Sequence, residues 1–84
     1  MNKRKYGGRE LPKLGEVWRH FKGEKYFIIT IAEHTETQEK FVIYCKAVEY
    51  KSCARPLDMF MSEVDRKKYP NVKQKYRFEK VTCE

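Results

Sequence analysis

His34 and Glu36 come closest to a catalytic arrangement in this 84-residue chain. They share the polar segment 34–39, and Glu36 could orient the His34 imidazole while Cys45 or Tyr44 reacts. The alternative is that both residues form hydrogen bonds within their own loop and fix its shape. We favour that alternative, because a lone His–Glu pair on a turn is weak support for a catalytic triad. We therefore expect a non-catalytic protein and keep a small enzyme using His34 and Glu36 as the last alternative.

The other reactive residues do not predict a metal or cofactor site. None of the usual metal-ligand spacings occurs among Cys45, Cys53, Cys83, His20 and His34. The glycine-rich phosphate-binding motifs are absent as well. An odd number of cysteines without C-x-x-C spacing favours reduced thiols. No apolar run follows the basic start, and the longest one, 27–32, is too short for a membrane span. We expect a cytoplasmic protein that binds no metal, no cofactor and no membrane.

Positive charge is concentrated in the two flanks of the chain. Residues 1–13 hold five Lys or Arg against one Glu, and residues 66–80 hold seven against one, whereas residues 14–65 hold seven against nine acidic residues. Cations release counterions from a phosphate backbone, and aromatic rings stack on unpaired bases. The flanks also contain the rings of Tyr6, Tyr69, Tyr76 and Phe78. Candidate nucleic-acid contacts are Lys3, Arg4, Lys5, Lys67, Lys68, Lys73 and Lys75. The alternative is that these charges only keep a small protein soluble.

Alternation of side chains between two faces predicts five short β-strands. They cover residues 17–21, 25–33, 41–48, 52–55 and 76–81. Pro56 can begin a helix, and the apolar residues that follow it have helical spacing, so we predict one or two helical turns over 56–64. The predicted fold class is mostly β, a small five-stranded SH3-like barrel or a strongly bent antiparallel sheet with one short helical turn. Residues 1–13 are expected to form a basic flexible tail and residues 14–84 a single small β domain.

Strict alternation also assigns side chains to faces. In the second strand it places Ile28 on one face, with Tyr26, and Ile31 on the other, with Phe27. In the third strand it places Cys45 in phase with Phe41 and Ile43, so we expect Cys45 in the core. Trp18 and Tyr26 are either core residues or an aromatic groove for a proline-rich peptide or a modified cationic side chain.

Several motifs stand in an order that is typical of one protein family. They are G-E-V-W-R-H-F-K-G (15–23), Y-F-I-I-T-I-A-E-H-T-E-T (26–37), V-I-Y (42–44), A-R-P-L-D-M-F (54–60) and Y-R-F (76–78). With them the chain resembles the small bacterial proteins grouped as domain-of-unknown-function family sixteen fifty-three, over nearly all of Leu14 to Val81. The resemblance implies no particular activity. Cys53 stands where the family tends to have an aromatic residue, often Trp, so a binding surface built on that ring would be altered here.

The resemblance implies a shared set of polar residues as a candidate ligand site. They are Arg19, His20, His34, Thr35, Glu36, Tyr44, Arg55 and Arg77. If the three arginines converge on one face with His34, their forked donors would suit a phosphate or carboxylate. The alternative is that Arg55 and Arg77 pair with internal acids, Glu33, Glu36 or Asp58. Our leading hypothesis is a binding module for an anionic partner such as RNA or DNA. The second hypothesis is a protein- or peptide-interaction module of SH3-like type.

Overall fold

Five strands form a single antiparallel sheet in the computed structural model, which describes residues 6–46 and 48–82. The strands are β1 (Val17–His20), β2 (Lys25–Glu33), β3 (Lys40–Lys46), β4 (Ser52–Pro56) and β5 (Phe78–Lys80). One short helix, α1 (Leu57–Phe60), directly follows β4. The order across the sheet is β4-β3-β2-β1-β5. The mostly β prediction, with five strands and one short helical turn, is confirmed. In the described part of the chain, no helix is long and apolar enough to cross a membrane.

The sheet is open, because its edge strands β4 and β5 do not pair with each other within the described residues. It is nevertheless bent so far that side chains from the two edges meet. The guanidinium carbon of Arg55, in β4, lies 5.5 Å from the ring centroid of Phe78, in β5. The bent-sheet alternative of the prediction therefore describes this fold, and the structure does not reach barrel closure.

The core lies between one face of the sheet and the segment that contains α1. Phe60 and Phe78 are both fully buried, and their rings stack with centroids 4.0 Å apart and planes at 6°. Tyr44 packs against this pair, with centroids 5.6 Å from Phe60 and 5.7 Å from Phe78. Because aromatic side chains bury large areas, this cluster supplies much of the apolar contact available to so small a domain.

A β-bulge in β2 changes which side chains face the core. Ile28 pairs with Tyr44, but the next pair joins Thr30 to Ile43, so Ile29 is an extra residue in β2. Beyond the bulge Ile31 lies on the same face as Ile28 and packs against the core. The prediction that Ile28 and Ile31 lie on opposite faces is wrong, because the bulge interrupts the two-residue period.

The face of β3 that packs against the core is opposite to the face that the sequence predicts. Val42 and Tyr44 are buried, whereas Cys45 is only half-buried and pairs with Phe27, a residue that is 42% exposed. The prediction of Cys45 in the core is therefore wrong. Apolar residues occur on both sides of β3, so its alternation defines the period but not which side is covered.

The segment 6–13 contacts the domain. The Arg9 guanidinium donates to the main-chain oxygens of Met61 (2.9 Å) and Phe78 (2.7 Å), and its central carbon lies 3.6 Å from the Tyr76 ring centroid. Leu11 packs against the core cluster. The sequence predicts a flexible tail over 1–13. Its second half makes these contacts, and its first half, with Lys3, Arg4 and Lys5, lies outside the described residues.

Glu16 joins β1 to its surroundings through several hydrogen bonds. Its carboxylate accepts from Trp18 Nε1 (3.0 Å) and from the backbone N–H of Lys13 (2.9 Å), and it pairs with Lys80 Nζ (3.0 Å). Burial acts to raise the pKa of Glu16, but the hydrogen bonds and the Lys80 charge outweigh it, and the pKa lies below its usual 4.5.

We expect Glu16→Gln to unfold at lower urea concentration than the unmodified protein at neutral pH. The folded state holds the Glu16 carboxylate ionised more firmly than the unfolded state, so this stabilisation is complete above the ordinary pKa and is lost as pH falls through the lowered one. The difference between the two proteins should therefore shrink between about pH 5 and pH 3. Urea titrations across that range provide the measurement, with Glu39→Gln in an exposed loop as the control. If the difference in unfolding urea concentration between the two proteins stays the same across this pH range, the Glu16 carboxylate does not stabilise the fold in this way.

Candidate anion-binding site

A basic pocket of about 270 Å³ lies where the two edges of the bent sheet approach each other. It is lined by His20, Phe21, Lys22, Arg55, Asp65, Lys68, Tyr69 and Arg77. These residues come from the end of β1 and the turn after it, from β4, from the loop 65–69 and from the position directly before β5. Because the lining residues are distant in sequence, the pocket exists only in the folded domain.

Main-chain hydrogen bonds fix the segments that form the pocket. The Phe21 N–H donates to the Arg77 carbonyl (2.9 Å), and the Arg77 N–H donates to the Ser62 carbonyl (2.8 Å). The turn after β1 is closed by the His20 N–H, which donates to the Glu24 carbonyl (2.8 Å). Gly23 in this turn has φ 105°, a backbone conformation that favours glycine.

Neutral hydroxyl groups orient the two arginines of the pocket. Arg55 Nε donates to the Tyr44 hydroxyl (3.0 Å), and Arg77 Nε donates to Ser62 Oγ (3.2 Å). In residues 6–46 and 48–82, neither guanidinium forms an ion pair with a carboxylate. The internal ion pairs that the sequence allowed are therefore not formed in this part of the chain, and neither arginine has a carboxylate in direct contact there.

His20 lies beside these charges, which act against its protonation. Its Nδ1 accepts a hydrogen bond from the Lys22 N–H (3.1 Å), so Nε2 carries the proton in the neutral form. Burial lowers the pKa of His20, and the nearby charges of Arg55, Arg77 and Lys22 lower it further, while Glu24 acts in the opposite direction. The part of this shift that comes from Arg55, Arg77 and Lys22 reflects a local excess of positive charge, which a bound anion would relieve.

The remaining lining residues add further cations and two aromatic rings. Lys22 and Lys68 bring the cationic side chains to four, against the single carboxylate of Asp65. The rings of Phe21 and Tyr69 pack edge to face with centroids 4.9 Å apart. Lys22 Nζ lies 6.0 Å from the first centroid and 5.5 Å from the second. The pocket therefore combines donors for an anion with an aromatic wall.

The structure brings Arg55 and Arg77 together, but with His20 rather than with Arg19 and His34. Arg19 pairs with Glu79 on the other face of the sheet, and its Nε donates to Gln74 Oε1 (3.2 Å). His34 lies in the loop between β2 and β3, where its Nδ1 accepts hydrogen bonds from two backbone N–H groups, those of Glu36 (3.2 Å) and Thr37 (3.3 Å). Thr35 lies in the same exposed loop, where its carbonyl accepts from the Gln38 side chain.

The possible catalytic group is not assembled in the described structure. Glu33 pairs with Lys40 next to the His34 loop, whereas Tyr44 pairs with Ile28 further along β3. Tyr44 lies four positions along β3 from Lys40, a distance of about 14 Å. Tyr44 is buried on the core face, and Cys45 lies next to it on the opposite face. The hydrogen bonds of His34 instead fix the shape of its loop.

The basic loop before β5 contributes one of its lysines to the pocket. Lys68 lines the pocket, whereas Lys75 does not line it, and its Nζ lies 5.4 Å from the Tyr76 ring centroid. Lys67 and Lys73 are exposed on the same loop, which the Arg66 guanidinium holds by donating to two of its carbonyl oxygens. Sequence analysis missed Phe21, Lys22 and Asp65 as lining residues. The position of the first two directly after His20 was the available signal.

The whole pocket lies within a segment that a protein family shares. The model of the family described as "Protein of unknown function (DUF1653)" matches residues 16–80. The chain belongs to this family. The DUF1653 match confirms the resemblance seen in the motifs, and it includes every lining residue from His20 to Arg77. No curated protein and no solved structure was found to match the chain.

Proposed function

We propose that this DUF1653 protein is a non-catalytic module that binds nucleic acid, RNA or DNA, through the basic pocket. The observation that carries the proposal is the convergence of Arg55 and Arg77, without carboxylate partners in the described chain, beside the rings of Phe21 and Tyr69. Guanidinium groups recognise phosphate, and aromatic side chains stack on unpaired bases.

The cations outside the pocket add affinity without defining the site. Lys67 and Lys73 extend the basic surface along the loop that also carries Lys68. Lys and Arg near a phosphate backbone strengthen binding to any sequence, whereas a shaped pocket selects one chemical group. We therefore assign selectivity to His20, Arg55 and Arg77.

Binding of a labelled single-stranded oligonucleotide, in RNA and DNA forms, tests this proposal by fluorescence anisotropy at several salt concentrations. Each phosphate contact on a single strand contributes a slope of about −0.7 to the plot of log affinity against log salt. With three or four contacts, affinity should fall roughly 20- to 50-fold between about 50 and 200 mM salt. The absence of binding at low salt, or binding that salt leaves unchanged, would rule the proposal out.

A protein- or peptide-interaction module is the second candidate. The observation that favours it is the sheet face opposite the core, where Phe27 is 42% exposed beside Cys45 and where Phe41 and Ile43 are half-buried. The aromatic groove first considered does not support it, because Trp18 is only 2% exposed. Co-purification of one defined protein without nucleic acid would favour this candidate over the first.

A further inference from the structure

We infer that the pocket takes a terminal phosphate, that is, a phosphomonoester on an end nucleotide rather than a phosphodiester within a strand. The inference rests on the proposed function and names the ligand class of the same site. Three features of the pocket support it: its unused donors, its charge and its shape.

The two arginines keep donors available for an anion. Arg55 uses Nε for the Tyr44 hydroxyl and Nη1 for the Met59 sulfur (3.5 Å), both neutral groups. Arg77 uses Nε for the Ser62 hydroxyl. Within the described residues, Nη2 of Arg55 and both Nη atoms of Arg77 make no hydrogen bond. Because Nε of each side chain is fixed, each planar fork is held in one orientation before a ligand arrives, which lowers the entropy cost of binding.

The charge of the pocket favours a dianion over a monoanion. A terminal phosphate carries about −1.5 to −2 charges near neutral pH, whereas a phosphodiester carries one. Four cationic side chains face a single carboxylate, Asp65, whose Oδ1 already accepts from the Lys67 N–H (3.0 Å). The Nε2–H of His20 is a further donor group on the lining. The positive charge of the pocket therefore attracts a dianion more strongly than a monoanion.

The shape of the pocket favours a group that ends inside it. It is a recess of about 270 Å³ between the two sheet edges, with the loop 65–69 on one side and the turn after β1 on another. An internal phosphodiester has a nucleotide on each side and needs an open channel, whereas a monoester has only one. The Phe21 and Tyr69 rings lie on the lining, where they can contact the base or sugar of that one nucleotide. This aromatic wall favours a nucleotide over a phosphopeptide.

The test is a competition experiment in which unlabelled oligonucleotides displace the labelled single strand from the protein. The competitors have one sequence and carry a phosphate on the first nucleotide, on the last nucleotide or on neither. We expect one phosphorylated form to compete about tenfold better than the unphosphorylated one, as charge-assisted hydrogen bonds to an added charge would produce. Arg55→Lys and Arg77→Lys keep the charge but lose the fork, and each should reduce this preference. Arg19→Lys, the same exchange on the other face, should retain it.

Each outcome is decisive. Equal competition by all three oligonucleotides, with salt-dependent binding, overturns the terminal-phosphate inference and leaves the proposed function standing. Failure of all three to bind overturns both. A phosphopeptide that competes better than any oligonucleotide overturns the assignment to a nucleotide. Thermal unfolding of each variant, followed by circular dichroism, shows whether it is folded, and because two separate arginines are replaced, loss of one variant leaves the other to decide.

Discussion

Replacement of Phe60 by alanine should lower the free energy of unfolding by about 3–5 kcal/mol. The Phe60 side chain is fully buried, and its ring stacks on Phe78 with centroids 4.0 Å apart. The ring centroids of Trp18 and Tyr44 lie 5.5 and 5.6 Å from that of Phe60. Helix α1 has only four residues, far too few for a helix to be stable alone, so burial of Phe60, together with that of Leu57, attaches it to the sheet.

Urea unfolding followed by the fluorescence of Trp18, the single tryptophan, measures this loss. Met59→Ala is the control in the same helix, because Met59 is 45% exposed and its loss should stay within about 1 kcal/mol. A domain of this size is stable by roughly 5–15 kcal/mol, so the loss expected for Phe60→Ala is a large part of the total. Phe60→Leu removes less of the side chain and provides a milder second variant. Equal losses in Phe60→Ala and Met59→Ala would contradict the position of Phe60 at the centre of the core.

Arg55→Gln should weaken binding of a single-stranded oligonucleotide roughly 10- to 100-fold, since a hydrogen bond to a charged group contributes about 1.5–3 kcal/mol. The glutamine amide can still donate to the Tyr44 hydroxyl, which is buried and would otherwise lose its partner. The variant therefore removes the charge and the fork with little disturbance of the core. Anisotropy at moderate salt provides the measurement.

Lys51→Gln is the matched control for this experiment. Lys51 is exposed and directly precedes β4, so the substitution removes the same charge at the end of the strand remote from Arg55. General electrostatics alone should change the affinity by less than about threefold for one exposed charge at moderate salt. If both variants lose affinity equally, net charge and not the pocket determines binding.

The strands and the helical turn could be predicted because their signals are local. Alternation over short segments and the proline at 56 mark where strands run and where the helix begins. The bulge at Ile29 has no such signal, since apolar residues flank it on both faces of β2. Which face of β3 is covered depends on where α1 packs, and alternation within β3 contains no information about that contact.

The site was predictable only in part, for the same reason. The family resemblance predicted Arg55 and Arg77 as site residues. Which histidine joins them in the pocket is decided by strand pairing between residues far apart in sequence. His20 pairs with Phe78, and the Phe21 N–H donates to Arg77, which places the end of β1 in the pocket. Arg19 and His20 are neighbours on one strand, so they point to opposite faces and could not both line one pocket there. That separation follows from the strand prediction alone.

The central claim is that the pocket formed by His20, Arg55 and Arg77 is an anion site, and an NMR titration with a nucleoside monophosphate tests it most directly. We predict saturable shifts of amide signals that concentrate at His20, Lys22, Arg55, Tyr69 and Arg77 and that disappear in Arg55→Gln. Shifts that instead concentrate at Phe27 and Ile43, on the opposite face of the sheet, or the absence of saturable shifts anywhere, would contradict the account.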